Sequence, residues 1–311
     1  MTRIGNSELD AFPLALGGNV FGWTAEEETS FAVLDAYQAA GGNIIDTADS
    51  YSHWVPGHSG GESETLIGKW VASRGNRGDV IIATKGGRHP HYKGLRADTI
   101  KSAAEQSLRR LRTDHIDLYY THFDDPEVPV EEIISALDRL VREGKVRYIA
   151  ASNISQQRLA ESLQFSEREG LAKYVALQQH YNLVEREQYE GPLADIVATH
   201  GLSSLPYYGL AMGFLTGKYR PGTSVDSPRA ASAEKYLKTQ RGLRALAALD
   251  EVAAAHDVEV ASVALAWLAA QPTVAAPIAS ARNLEQLPAL LASADLVLSG
   301  DELARLTAAS A

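Results

Sequence analysis

Four side chains of this 311-residue sequence combine into one piece of acid–base chemistry. Asp46 and Tyr51 lie in GGNIIDTADSY (41–51), Lys85 ends DVIIATK (79–85), and His122 ends IDLYYTH (116–122). A phenol titrates near pH 10, roughly three units too high for easy proton exchange at neutrality. An ammonium beside it stabilises the phenolate and draws that value down, provided a carboxylate keeps the ammonium charged. An imidazole can donate a hydrogen bond to a carbonyl or relay a proton. Such a set polarises a carbonyl and protonates its oxygen while something else attacks the carbon. The four supply no nucleophile for a covalent step, so the reducing equivalent must come from elsewhere. Singly, each has a plainer reading: Asp46 as a helix cap, Lys85 as a surface charge, Tyr51 as packing, His122 as a satisfied histidine. Their joint placement favours the chemical reading.

That placement depends on the elements carrying them. Short apolar runs at 12–18, 43–48, 79–85, 116–122, 146–152, 174–181, 202–208 and 274–280 read as eight strands. Amphipathic stretches between them read as helices: EETSFAVLDAYQAA, SETLIGKWVAS, ADTIKSAAEQSLRRL, VEEIISALDRLVREG and SQQRLAESLQFSEREG. Asp98 and Ser155 are expected helix caps. Strict alternation implies a parallel sheet with crossover helices. An open doubly wound sheet could carry it, but eight strands spaced about 30 residues apart favour closure. The expectation is α/β: a single (β/α)8 TIM barrel over residues 1–311, with the first twelve residues as a short β-hairpin closing its bottom. In such a barrel the C-terminal strand ends carry the active site, where Asp46, Lys85 and His122 stand. The connection from Gly209 to about Thr239 is long for a compact domain and is expected to be a lid or binding loop. SHWVPGHSGGE (52–62) is the expected substrate-selecting loop.

The composition fits this picture. The chain is 45% hydrophobic and only 22% charged, which suits a large core. With 29 basic and 39 acidic residues the net charge is −10, which disfavours broad binding to nucleic acid or an anionic membrane. No cysteine is present, so disulfides, thiolate nucleophiles and Cys-ligated metals are excluded. No apolar run approaches a membrane span and the N-terminus lacks a signal-peptide core, so a soluble, cytoplasmic protein is expected. His89 and His91 have a spacing that could bind metal, yet no acid lies close in sequence; a solvated loop and no metal are expected. GGNVFGWT (17–24) lacks the lysine of a phosphate loop and reads as a turn near the site.

The segments GGNIIDTADSY, IIATKGG and DLYYTH resemble three signature regions of the aldo-keto reductases. ASN (151–153), QQHYN (178–182), YYGLAMGFLTGKY (207–219) and PIASARNLEQL (277–287) are similar, in order, to that family's cofactor segments. The resemblance implies a (β/α)8 barrel that uses NADPH without a Rossmann motif, and no G-x-G-x-x-G follows a strand here. It implies hydride transfer to an aldehyde or ketone, Tyr51 as proton donor, Lys85 depressing the Tyr51 pKa, Asp46 pairing with Lys85, and His122 orienting the carbonyl. It also implies Ser152, Asn153 and Gln178 at the carboxamide and Tyr207 stacked on the nicotinamide. Leu210, Gly213, Leu215, Gly217 and Lys218 would hold the pyrophosphate, with Ser280, Arg282 and Gln286 near the adenosine. Arg282 suits a 2′-phosphate, which favours NADPH over NADH. Trp23 and Trp54 are expected to line the substrate pocket.

The chain departs from the pattern at Tyr207-Tyr208-Gly209-Leu210, where the family often has Tyr-Ser-Pro-Leu. It departs again at Ala289-Leu290, where Glu-Asn is common. The C-terminus stops soon after LARLTAAS, so a more open pocket is expected. Potassium-channel β-subunits resemble the same family and offer a second reading: an NADPH-binding regulatory subunit with little turnover. A metal-dependent barrel hydrolase is a third, for which too few His and Asp residues stand at strand ends. The substrate, the reaction direction and the oligomeric state are not specified by these residues.

Overall fold

The computed structural model describes residues 1–227 and 229–311. A strand covered on both faces reads as a nearly continuous apolar run, and IIATKG is such a run, with all six residues buried. The chain begins with a hairpin of β1 (Thr2–Arg3) and β2 (Asp10–Ala11), followed by β3 (Ala15–Gly17), α1 (Glu27–Ala39), β4 (Ile44–Asp46), α2 (Glu62–Arg74) and β5 (Ile81–Gly86). A second small hairpin, β6 (Arg88–His89) and β7 (Tyr92–Lys93), precedes α3 (Ala97–Leu111), β8 (Ile116–Thr121) and α4 (Val130–Arg142). Then come β9 (Val146–Ser152), α5 (Gln156–Glu169), β10 (Tyr174–Gln178), α6 (Pro192–Thr199) and β11 (Ser203–Ser204). The chain finishes with α7 (Ala230–Glu234), α8 (Gln240–His256), α9 (Val260–Ala269), β12 (Ile278–Ala279), α10 (Leu287–Leu291) and α11 (Gly300–Ala309).

Strands β3, β4, β5, β8, β9, β10 and β11 pair in that order, all parallel, and β12 pairs with β3. A bridge between Ser204 and Val274, with the Ala275 N–H donating to the Ser204 carbonyl at 2.9 Å, joins the two ends. The sheet is a closed (β/α)8 barrel. Its interior is filled by Ala15, Ile44, Ala83, Leu118, Ala150 and Ala176, and Ile4 and Leu9 of the first hairpin join that cluster. The hairpin therefore plugs one end, as expected. A larger apolar layer packs the helices onto the outside of the strands.

All eight expected strands are present; seven are shorter than their apolar runs, and those at 12–18, 202–208 and 274–280 lose the most. Pro13, Pro206 and Pro277 lie within those runs, and a proline offers no N–H to extend a ladder. Ser155 caps α5 as expected, accepting the Arg158 N–H at 3.3 Å. Asp98 does not cap: Arg96 holds that position of α3, and Asp98 lies in the first turn, where its charge still favours the helix's positive end. The long connection after β11 contains a 3-10 turn at Ala211–Thr216 and the short α7.

Helix α11 starts with a capping box between Ser299 and Glu302. It is held by Trp267 Nε1 donating to Thr307 Oγ1 at 3.0 Å and by His256 at 2.8 Å from Glu302. Residues 300–309 thus lie against the outer helices, and the end of α11 also accepts from Arg186 in the loop after β10. No single helix among the described residues is long and apolar enough to cross a membrane.

Candidate active site

Period-2 alternation along β5 sends Thr84 outward toward α2, where it donates to Glu64 at 2.6 Å, and Lys85 inward. Lys85 is buried, and its ammonium has three acceptors: Asp46 Oδ2 at 2.7 Å, the Thr47 carbonyl at 2.7 Å and Tyr51 Oη at 3.0 Å. Those three bonds use all three ammonium protons. Because Tyr51 accepts from Lys85, its own hydroxyl proton is free for another partner. The other Asp46 oxygen accepts from Gln178 Nε2 at 2.8 Å, so the carboxylate is bonded on both sides. Backbone bonds hold the loop in register beyond β4: Thr47 N–H donates to Ala83 and Asp49 N–H to Lys85.

The electrostatics differ in one respect from the sequence expectation. Burial opposes the Lys85 charge, but Asp46 and Tyr51 outweigh it and hold the ammonium above its usual range. Burial also pushes the Tyr51 phenol up, to about 12, even though Lys85 pulls it down. The lysine therefore offsets part of the desolvation cost and does not bring the phenol below its ordinary value. His122 follows β8, with its N–H on the Gly86 carbonyl at 2.9 Å and its ring 6.0 Å from that of Tyr51. Burial, reinforced by Lys85 and Arg88, holds this imidazole well below its ordinary pKa, so it is neutral. Its Nδ1 is buried and has no partner among the described residues.

A second group of residues gathers along the ends of β9, β10, β11 and β12. Asn153, at positive φ, donates through Nδ2 to the Ser152 hydroxyl and the His122 carbonyl, while its Oδ1 accepts from Tyr207 at 2.7 Å. The Tyr207 ring stacks on His180 at 5.5 Å. Past Tyr208 the chain turns through positive φ at Ala211, Met212 and Gly213, and again at Gly217. This tight turn follows Leu210 and contains Leu215, which is buried. Lys218 is lowered by burial and by the nearby Arg282 and Arg229. Three cations thus share one region, and none has an acidic partner within 4.0 Å among the described residues. Mutual repulsion of this kind is stabilised by an anion. Ser280 donates to Asn19 at 2.8 Å, and Gln286 accepts the Arg282 N–H at 3.0 Å. Of the two departing residues, Leu290 is buried in the core, and the carbonyl of the half-buried Ala289 accepts from Ser262.

This arrangement has relatives. The sequence pattern of the Aldo/keto reductase family matches residues 13–311. The chain belongs to the aldo/keto reductase family. It is similar to Protein tas of Escherichia coli K12, at 32% identity over 98% of this chain and 96% of that one. Norsolorinic acid reductase stcV of Emericella nidulans is 31% identical over 94% of this chain and 76% of its own length. A probable voltage-gated potassium channel subunit beta of Oryza sativa subsp. japonica is 31% identical over 95% and 91%. The chain is an oxidoreductase of a family that draws hydride from nicotinamide dinucleotides and acts on small carbonyl compounds.

Within this aldo/keto reductase, Trp23 and Trp54 meet edge to face at 5.5 Å, and Trp54, 44% exposed, lies 6.2 Å from the Tyr51 ring. His89 corrects an expectation: it is buried, not a solvated loop residue, and it anchors β6 against Tyr92 at 5.2 Å. No group of three potential metal ligands occurs among the described residues. The Gln178–Asp46 bond, Asn19 beside Ser280 and Arg229 beside Lys218 leave no signal in the sequence. A buried acid also stands behind the site. Asp49 has no partner for either carboxylate oxygen among the described residues. Burial pushes it up to about 8, Glu64 adds to this, and Arg110, bonded to Glu64 at 2.6 Å, opposes it. Alternation at the strand end is the one sequence signal that could have located Asp49, since it puts that residue on the face opposite Asp46.

Proposed function

We propose that this protein reduces aldehydes or ketones to alcohols, with NADPH as the preferred hydride source and Tyr51 as the proton donor. One observation carries the reading: Tyr51 Oη accepts a hydrogen bond from a fully committed Lys85 ammonium and keeps its own proton available. NADPH, when bound, would supply the hydride that the carbonyl carbon requires. The protein's residues do the rest. Neutral His122, with its proton on Nε2 because Nδ1 has no acceptor, donates to the carbonyl oxygen and orients it. As negative charge develops on that oxygen, Tyr51 gives up its proton, and Lys85 stabilises the phenolate left behind. Asp46, fixed by Gln178, keeps Lys85 in place and charged.

The residues present suit a phosphate-bearing dinucleotide. Lys218, Arg282 and Arg229 offer positive charge with no acid within 4.0 Å among the described residues, and the positive-φ turn through Gly213 and Gly217 leads directly into Lys218. Ser152, Asn153 and Gln178 present polar groups for a carboxamide, Tyr207 a ring face, and Ser280 and Gln286 further donors and acceptors at the adenosine end. Arg282 gives the preference for NADPH over NADH. The chain acts as one domain in the cytoplasm.

The test is consumption of NADPH, followed by absorbance, with a panel of aldehydes and ketones after exhaustive chelation. Substrate-dependent oxidation supports the reductase; its loss on chelation would point to a metal enzyme instead. The rice relative's name supports a second reading, a regulatory channel subunit. Tight NADPH binding without turnover on any carbonyl would favour it.

A further inference from the structure

The hairpin β6–β7 leaves the end of β5 immediately after Lys85, Gly86 and Gly87. Neighbouring residues of a strand point to opposite faces. His89 turns inward and is buried, packed on Tyr92 and close under Gly60, where a Cβ would sit 3.0 Å from its ring. Arg88 therefore turns outward on an anchored backbone. Its guanidinium lies 4.3 Å from the centroid of Phe123, whose ring is 5.4 Å from that of His122. Arg88 is close enough to His122 for its charge to disfavour the imidazolium.

No carboxylate among the described residues comes within 4.0 Å of Arg88. The acids next to Phe123 are already engaged. Asp124 pairs with Arg158 at 2.8 Å, and Asp125 accepts from the Leu95 and Glu127 N–H groups. The exposed Trp54 stands 6.2 Å from the Tyr51 ring, backed by Trp23. The surroundings of the tetrad thus include two aromatic rings, Trp54 beside Tyr51 and Phe123 beside His122, with an unpaired guanidinium over Phe123.

We propose that this site selects carbonyl compounds that also carry a carboxylate, aromatic aldehyde acids above all, and that Arg88 binds the carboxylate. The inference rests on the reductase reading and specifies its substrate class. A guanidinium matches a carboxylate through two parallel N–H···O bonds, and its position over Phe123 restrains it before the ligand arrives. The ring of the substrate lies against these aromatic rings while its aldehyde reaches Tyr51 and His122.

The test compares kcat/KM for 4-carboxybenzaldehyde with that for its methyl ester, in the wild type, Arg88→Ala and Arg88→Lys. The wild type is expected to prefer the acid at least ten-fold. Arg88→Ala should abolish that preference, and Arg88→Lys should keep part of it, since the charge remains but the fork does not. Ester turnover in the same preparations reports folding and keeps the two readings separate. Ester reduction with no preference for the acid, or a preference that survives in Arg88→Ala, overturns the carboxylate proposal and leaves the reductase standing. Failure of the wild type on both compounds while other aldehydes are reduced overturns this proposal alone; failure on every carbonyl tried overturns the reductase reading and this proposal with it.

Discussion

Lys85 Nζ and Tyr51 Oη lie 3.0 Å apart in the mouth of the barrel, and the phenol nonetheless titrates near 12. A phenol held above its ordinary value is protonated throughout the working range. Reduction, which needs the neutral phenol, should show no loss of kcat/KM from Tyr51 ionisation between pH 6 and about 10. Alcohol oxidation needs the phenolate, so its kcat/KM should rise about ten-fold per unit over the alkaline range without levelling off near neutrality. Paired pH–rate profiles check both directions; an alkaline fall in reduction centred near pH 8 would contradict the assignment.

The ion pair beneath Tyr51 is a second target. Removing Lys85 strands Asp46 as a buried charge, which typically costs about 3–5 kcal/mol. Lys85→Met should therefore lower the urea midpoint strongly as well as abolish turnover. The double variant Asp46→Asn with Lys85→Met should recover most of the stability and none of the activity. Equal loss of stability in single and double variants would show that the pair is not coupled as the geometry implies.

Asp49 makes a prediction about pH and stability. Its folded value of about 8 lies above the ordinary 3.8, so the folded protein holds a proton that the unfolded chain releases. This contribution is full below about pH 4 and is lost as pH rises through about 8, at up to about 1.4 kcal/mol per unit. Asp49→Asn removes the titration. Its stability relative to wild type should increase steadily from pH 5 to pH 8, read from urea midpoints. A constant difference across that range would mean that Asp49 stays ionised.

The cofactor preference turns on Arg282. A charge-assisted contact of about 1.5–3 kcal/mol corresponds to roughly 10–100-fold in affinity. Arg282→Ala should weaken NADPH by that factor and leave NADH nearly unchanged, whereas Lys218→Ala should weaken both. Titration of tryptophan fluorescence with each dinucleotide decides it.

Much of this site was legible because its chemistry lies in residue types at strand ends. A carboxylate, an ammonium and an imidazole closing three apolar runs are visible without coordinates, and the alternation of runs places them on one face. What escaped was tertiary. Gln178 reaches Asp46 across 132 positions of sequence. Asp49 and Glu64 look like ordinary loop and helix acids until burial is known. His89 read as solvated because its cover, Gly60 and Tyr92, comes from two separate segments. The reversed sign at Tyr51 has the same origin: a neighbour's charge can be inferred from a sequence, but the depth of burial that outweighs it cannot.

Proton donation by Tyr51 is the central step. Its most direct test is kcat/KM for reduction of an aldehyde by Tyr51→Phe, with NADPH affinity measured on the same preparation. The expected result is a loss of about 10²–10⁴-fold in turnover with NADPH binding unchanged. Turnover within a few-fold of wild type would contradict the account, because the proton would then come from another group.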